Sequence, residues 1–178
     1  IDKAGKNIPE YEVVTPEYVK PFTEILRKEG YYCANNFKCD YQFNSPFTAW
    51  DEVSSTVSFR DTPKGKPFFY VWNTLLTHES RIWERSSKPL TVEPDEVIIP
   101  SYFADIPEVR NDIARKYSNI EAMDKKVGEL INQLEQDGLL DNTIIMFWSD
   151  HGGNLLRQKR AVGNSGLNVP LIVMYPDK

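Results

Sequence analysis

Between Pro107 and Asp137 the apolar residues Val109, Ile113, Tyr117, Ile120, Val127, Leu130, Ile131 and Leu134 recur at steps of three and four, with charged residues between them. The spacing predicts one long helix, opened by a proline and stopped by Gly138. A helix with a single apolar stripe needs a layer to pack against, and short apolar runs supply it. Tyr31 to Ala34, Pro67 to Leu76, Thr143 to Ser149 and Val169 to Tyr175 read as strands. A further helix is expected from Thr15 as N-cap and Pro16 in the first turn, through Val19, Phe22, Ile25 and Leu26, to a stop at Gly30. Helices alternating with strands predict an α/β architecture with helices packed on a mostly parallel sheet, where ligands gather beyond the carboxyl ends of the strands.

The connections divide into two kinds. From Asn35 to Lys66 the chain is polar, aromatic and broken by Asn, Ser, Pro and Gly, and Asp150 to Ser165 is a polar loop. From Arg81 to Asp105 the prolines Pro89, Pro94 and Pro100 deny a helix, so an extended surface connection is expected. The 178 residues suit one compact domain.

Charge narrows the choice of ligand. With 26 acidic against 21 basic residues, a net charge of -5 and a pI near 5.1, the chain is not expected to bind nucleic acid. Any anion must be gripped locally. The apolar runs stop well short of the roughly 18 to 20 residues of a spanning helix, so no membrane insertion is expected. Ile1 is not an initiator methionine and no leader follows it, so any targeting segment is expected to have been removed or to lie outside this stretch. Cys33 and Cys39 are too few for a disulfide framework.

Candidate chemistry clusters at strand ends. Asp150 and His151, followed by Gly152 and Gly153, place a carboxylate and an imidazole where the backbone can turn sharply; this fits a metal pair, and equally a strand-end Asp that accepts backbone N–H groups beside a solvated His. His78 closes an apolar strand and could protonate a leaving group, bind an anion or serve structure alone. Lys38 and Lys159 follow strands in loops, where an ammonium can neutralise an oxyanion or simply face water. Arg157 and Arg160 flank Lys159 and share both readings. Only two histidines exist, too few for a dinuclear zinc site built from this chain alone.

These residues, in this order, resemble the sulfatases of the alkaline phosphatase superfamily. Gly30-Tyr31-Tyr32 followed by Lys38 is similar to the Gly-Tyr strand that leads to an active-site lysine, although the usual Gly-Lys-Trp-His-Leu-Gly wording is absent. Lys66-Pro67-Phe68-Phe69 with Thr77-His78-Glu79 resembles the strand that ends in an active-site histidine. The helix containing Met123-Asp124 and Val127-Gly128, then Gly138-Leu139, Asp141-Asn142-Thr143 and Ser149-Asp150-His151-Gly152, reads like a standard sulfatase passage. Lys159 to Pro170 keeps Gly166, Val169 and Pro170 of the next motif, and departs from it at Asn164-Ser165 and Asn168. The wording is somewhat like that of the N-sulfoglucosamine sulfohydrolase branch.

The resemblance implies an alkaline-phosphatase-like three-layer α/β/α fold with a mostly parallel sheet, of which 1–178 would be a partial catalytic domain. It also implies hydrolysis of sulfate esters or sulfamates, on a sulfated carbohydrate or small sulfate ester, by a formylglycine and a divalent cation, usually calcium. Asp150 and His151 would bind the metal. Lys38 and Lys159 would stabilise sulfate oxygens, and His78 would bind sulfate or protonate the leaving group. A periplasmic, lysosomal or secreted location follows from the family.

Neither Cys33 nor Cys39 lies in Cys-x-Pro-x-Arg, no Ser-x-Pro-x-Arg occurs, and the family's early Asp-Asp pair is missing. The formylglycine is therefore expected upstream, in a larger sulfatase of which this is the middle, and the fragment alone should not turn over. Two alternatives are a phosphoesterase or phosphonate hydrolase of the same superfamily, and a non-catalytic glycan- or anion-binding module.

Overall fold

A computed structural model describes residues 13–176. The chain parts into two compact units, the first ending at Asn73 and the second beginning at Thr74.

The first unit contains α1 (Phe22–Lys28) and the strands β1 (Tyr32–Asn35), β2 (Glu52–Val53) and β3 (Phe68–Val71). The helix starts later than the Thr15 cap predicts. Pro21, with ψ of 135°, disfavours the helical region for Lys20 before it, and Pro16 to Val19 forms only a turn. The stop is where the sequence places it, at Gly30 with φ of +92°. The sheet order is β2-β1-β3, parallel throughout, with Tyr32 opposite Phe68 and Asn35 opposite Val71. Cys33 and Ala34 of the central strand are buried, and Phe69 packs edge-on to Phe22 and stacks with Trp50. Trp50 donates its indole N–H to the Tyr41 hydroxyl at 2.8 Å, so this tryptophan is committed to packing. The Asp51 carboxylate accepts the Cys33 backbone N–H at 2.8 Å and pairs with Arg27 at 2.9 Å.

The second unit is organised by α3 (Pro107–Gln136), about 45 Å long at 1.5 Å per residue. Gly138, at φ of +67°, ends it. Its buried face mixes Ile113, Ala114 and Leu134 with Arg115, Ser118 and Asn119. Val97 packs on Ile113 and Ala114, joined by Leu90, Val92, Ile99 and Leu155. The polar members hold the 81–105 connection in place: Arg115 donates to the carbonyls of Ser86 and Pro89, and the Ser118 hydroxyl accepts from Thr91 and Val92 N–H. That connection is not wholly extended. Ahead of its first proline it forms one helical turn, α2 (Arg81–Glu84).

The strands β4 (Ile145–Trp148) and β5 (Leu171–Met174) flank a short helix, α4 (Asn164–Leu167). They pair antiparallel, with Trp148 opposite Leu171, which departs from the parallel direction expected for them. The cause lies in the loop between. Gly152 N–H bonds the Gly166 carbonyl at 2.8 Å, so the chain returns beside the end of β4 that it left instead of crossing over through a long helix. Trp148 of β4 is 53% exposed.

Candidate functional site

The site in the second unit grows from the loop after β4. Asp150 and His151 leave the strand, and two glycines follow because the loop folds back on itself too closely for side chains. A Cβ on Gly152 would collide with the Ser165 carbonyl, and one on Gly153 with the Gln158 amide. Lys159 N–H then bonds the Gly153 carbonyl at 2.8 Å, and Asn154 Nδ2 donates to Thr77 O at 3.1 Å. The second of these bonds ties the loop to the segment that carries His78.

Lys159 Nζ lies 3.1 Å from His78 Nε2. Two pure donors meet the His78 ring, Ser80 N–H at Nδ1 (3.2 Å) and the Lys159 ammonium at Nε2, and the Ser80 hydroxyl also lies 3.1 Å from Nδ1; a neutral ring accepts from only one of the two, and in the tautomer that accepts the fixed backbone N–H the proton is on Nε2. The ammonium and the Nε2–H are then both donors facing one another. In that tautomer they do not bond to each other, but they can share one acceptor between them, and an oxyanion has the right chemistry for it. Glu79 balances the cations from the side: its carboxylate meets Arg160 at 2.9 Å and Lys159 at 3.6 Å. Desolvation opposes ionisation of Glu79, yet Lys159 and Arg160 hold its carboxyl below the usual range.

Asp150 and His151 form the opposite arrangement. His151 Nδ1 lies 2.8 Å from the Gly152 carbonyl, an acceptor only, so Nδ1 carries the proton and Nε2 of a neutral ring presents a lone pair. That atom sits 3.8 Å from Asp150 Oδ1. Two acceptors so close favour a cation held by both. The His151 side chain is 39% exposed and that of Asp150 56%. Among the described residues no three His, Cys, Asp or Glu side chains gather as a metal site, and calcium takes six to eight oxygens, so this pair fits as part of a metal shell and not as all of it.

Lys38 belongs to the first unit. It follows β1, with Nζ 3.9 Å from Asp40 Oδ2 and its side chain 33% exposed. Its loop is built by three asparagines: Asn35 and Asn36, which open the stretch that the sequence marks as loop, and Asn73, which falls inside the run 67–76 that the sequence marks as strand. Asn35, fully buried, donates to the Lys38 carbonyl at 2.8 Å and accepts from Asn73 Nδ2 at 2.9 Å. Asn36 donates to Asn73 O at 2.8 Å and accepts Asn73 N–H at 2.7 Å. The signal available was an Asn-Asn pair at the end of one apolar strand and an Asn just past another.

Burial, then Asp51, pushes the Cys33 thiol up to about 11, so it is a core group and not a nucleophile.

The sulfatase family model matches residues 8–178. The chain belongs to the sulfatase family. With the family comes its alkaline-phosphatase-like α/β fold and mostly parallel sheet, of which the β2-β1-β3 ladder is the parallel part seen here. The chain is 39% identical to an ulvan-active sulfatase of Formosa agariphila over 208 aligned residues, covering 97% of this chain and 35% of that protein. It is 29% identical to the human N-sulphoglucosamine sulphohydrolase over 89 residues, 50% of this chain and 18% of the enzyme. An N-acetylglucosamine-6-O-sulfatase of Bacteroides thetaiotaomicron is 42% identical over 59 residues, 31% of this chain and 11% of that protein. This sulfatase chain thus spans about a third, at most, of these relatives' lengths. Among its described residues no helix is long and apolar enough to cross a membrane.

Proposed function

We propose that the protein carrying residues 1–178 hydrolyses sulfate esters or sulfamates of sulfated glycans, and that these residues are part of one catalytic domain. The ends of that span, 1–12 and 177–178, lie outside the described residues. The observation that carries the reading is the pair of converging donors, His78 Nε2 and Lys159 Nζ 3.1 Å apart, with Lys159 on the same loop as the pair Asp150 and His151. One half suits a sulfate oxygen and the other a divalent cation. The names of the relatives support a sulfated sugar as substrate.

In this reading Lys159 and His78 grip the nonbridging oxygens; Lys38, in the first unit, is a sulfate-binding residue by family resemblance alone. Such preorganised donors stabilise charge that develops in the transition state, commonly by a factor of about 10² to 10³ per donor. His78, with Nδ1 held by Ser80 N–H, keeps its proton at Nε2 facing the anion, where it can pass to the departing oxygen or nitrogen. Asp150 and His151 hold a divalent cation, calcium by family resemblance. Bound there, a divalent cation would supply polarisation of the sulfate, and by family resemblance the attacking oxygen would be that of a formylglycine. A periplasmic, lysosomal or secreted location accords with the family.

The test is sulfate release from sulfated mono- and disaccharides by the full-length protein, with and without calcium, set against phosphate release from the matching phosphate esters. Sulfate release is expected. Phosphate release without sulfate release would move the protein to the phosphoesterases of the superfamily, and release of neither would leave a binding module.

A further inference from the structure

The second unit holds a cleft of about 580 Å³ that the sulfate-gripping residues do not line; its walls include Tyr102, Arg157, Ala161, Asn164 and Asn168. The depression is open to solvent, with Tyr102, Arg157, Asn164 and Asn168 themselves exposed. Arg157 is its charged member. It precedes Lys159 by two positions, so their Cα atoms are at most about 7.6 Å apart. Lys159 meets His78, whereas the Arg157 guanidinium lies 5.6 Å from the Tyr102 ring centre. Among the described residues Arg157 has no carboxylate within ion-pair distance, unlike Lys159 and Arg160, which share Glu79. An unneutralised guanidinium in a chain of net charge -5 favours an anion.

The cleft is also braced. Arg157 holds a left-handed φ of +63°, rare for a residue other than glycine, and its carbonyl accepts the Ser165 hydroxyl. Gln158, buried, reaches the Tyr102 hydroxyl at 3.4 Å with Nε2 and accepts from Lys116 Nζ at 3.2 Å with Oε1. The ring beneath the guanidinium is thus tied to the same short loop that carries Lys159, which fixes the spacing between the two cationic positions.

We propose that this cleft is a second anion subsite, in which Arg157 receives an anionic substituent on the substrate sugar, a carboxylate or a further sulfate, other than the sulfate held at Lys159 and His78. The proposal rests on the sulfatase reading. A guanidinium matches either group with two parallel N–H donors, and Asn164 and Asn168 offer amides for neighbouring hydroxyls.

The experiment measures binding by calorimetry to the full-length protein and its Arg157→Gln and Arg157→Lys variants. The probes are a monosulfated disaccharide containing a uronate, its uronate methyl ester, and a disulfated disaccharide without uronate. The expected result is a loss of about tenfold or more in Arg157→Gln for a probe with the second anion, little change for the methyl ester, and partial recovery in Arg157→Lys. Loss confined to the uronate probe assigns a carboxylate, and loss confined to the disulfated probe assigns a sulfate. Affinities within twofold of wild type for all three probes, or an equal loss for the methyl ester, would overturn the subsite. Thermal melting of each variant checks that it is folded. Sulfate release by the wild-type protein is scored separately: its absence sinks the sulfatase reading while the ratios of binding constants still decide the subsite.

Discussion

Lys159 Nζ sits 3.1 Å from His78 Nε2, although 81 positions separate the two residues in the chain. In the tautomer in which His78 Nδ1 accepts Ser80 N–H, both facing atoms are donors, and an anion between them would satisfy both. Removing either donor from the full-length protein should therefore act on the transition state. Lys159→Ala and His78→Ala are each expected to lower kcat by about 10² to 10³. The double variant should lose less than the product of the single losses, since both donors serve one anion. Steady-state sulfate release checks this, and wild-type kcat in both single variants would remove the pair from the site.

Asp150 and His151 make a different prediction. With His151 Nδ1 bonded to the Gly152 carbonyl, Nε2 faces Asp150 Oδ1 at 3.8 Å, a spacing at which one cation can meet both. Asp150→Ala should weaken calcium affinity by at least about tenfold, a scale that even outer-shell partners of a metal reach. Calcium titration of the metal-stripped protein reads this directly. Unchanged affinity would assign Asp150 to strand-end hydrogen bonding, the bland alternative its sequence context left open.

What the sequence revealed followed local physics. The 30-residue α3 was legible because its apolar spacing is continuous and Gly138 ends it. The late start of α1 was legible in principle, from the restraint Pro21 places on Lys20, yet an attractive Thr-Pro-Glu cap at 15–17 masked it. The direction of β5 was not legible, since it depends on a through-space bond from Gly152 to the Gly166 carbonyl. For the site, residue chemistry gave candidates and resemblance gave their register, but no periodicity could bring His78 to Lys159 or pair Asn36 with Asn73 across 37 positions. Buried side-chain amides make few demands on neighbouring sequence, so such networks are the last features to be read from it.

Glu79 gives the site a pH signature. Its carboxyl is desolvated, which works against ionisation, but Lys159 and Arg160 together bring it below the usual range. A carboxylate with a depressed folded-state pKa stabilises the fold fully above its unfolded value of about 4.3, and that contribution disappears as pH falls through the folded value. The melting temperature of Glu79→Gln should therefore lie a constant interval below wild type from pH 7 to about pH 5, and the two should converge in more acidic buffer. An interval that persists unchanged at pH 3 would mean that the ion pairs contribute nothing to the folded state.

The tightest constraint on the site is one of space. Gly152 sits where a methyl group would collide with the Ser165 carbonyl, and its N–H bonds the Gly166 carbonyl at 2.8 Å. Both contacts are backbone to backbone, so no rotamer change can relieve the clash; the loop itself must open. Gly152→Ala is therefore expected to destabilise by about 1 to 3 kcal/mol, the usual cost of overpacking. It should also displace Asp150 and His151 from the turn that holds the His151 ring. Calcium affinity and melting temperature should fall together, whereas a surface substitution such as Lys126→Ala, on the exposed side of α3 where it pairs with Glu129, should move neither by much. If Gly152→Ala melts and binds calcium like wild type, the close approach of the 152 and 165–166 segments is not what shapes the turn that carries Asp150 and His151.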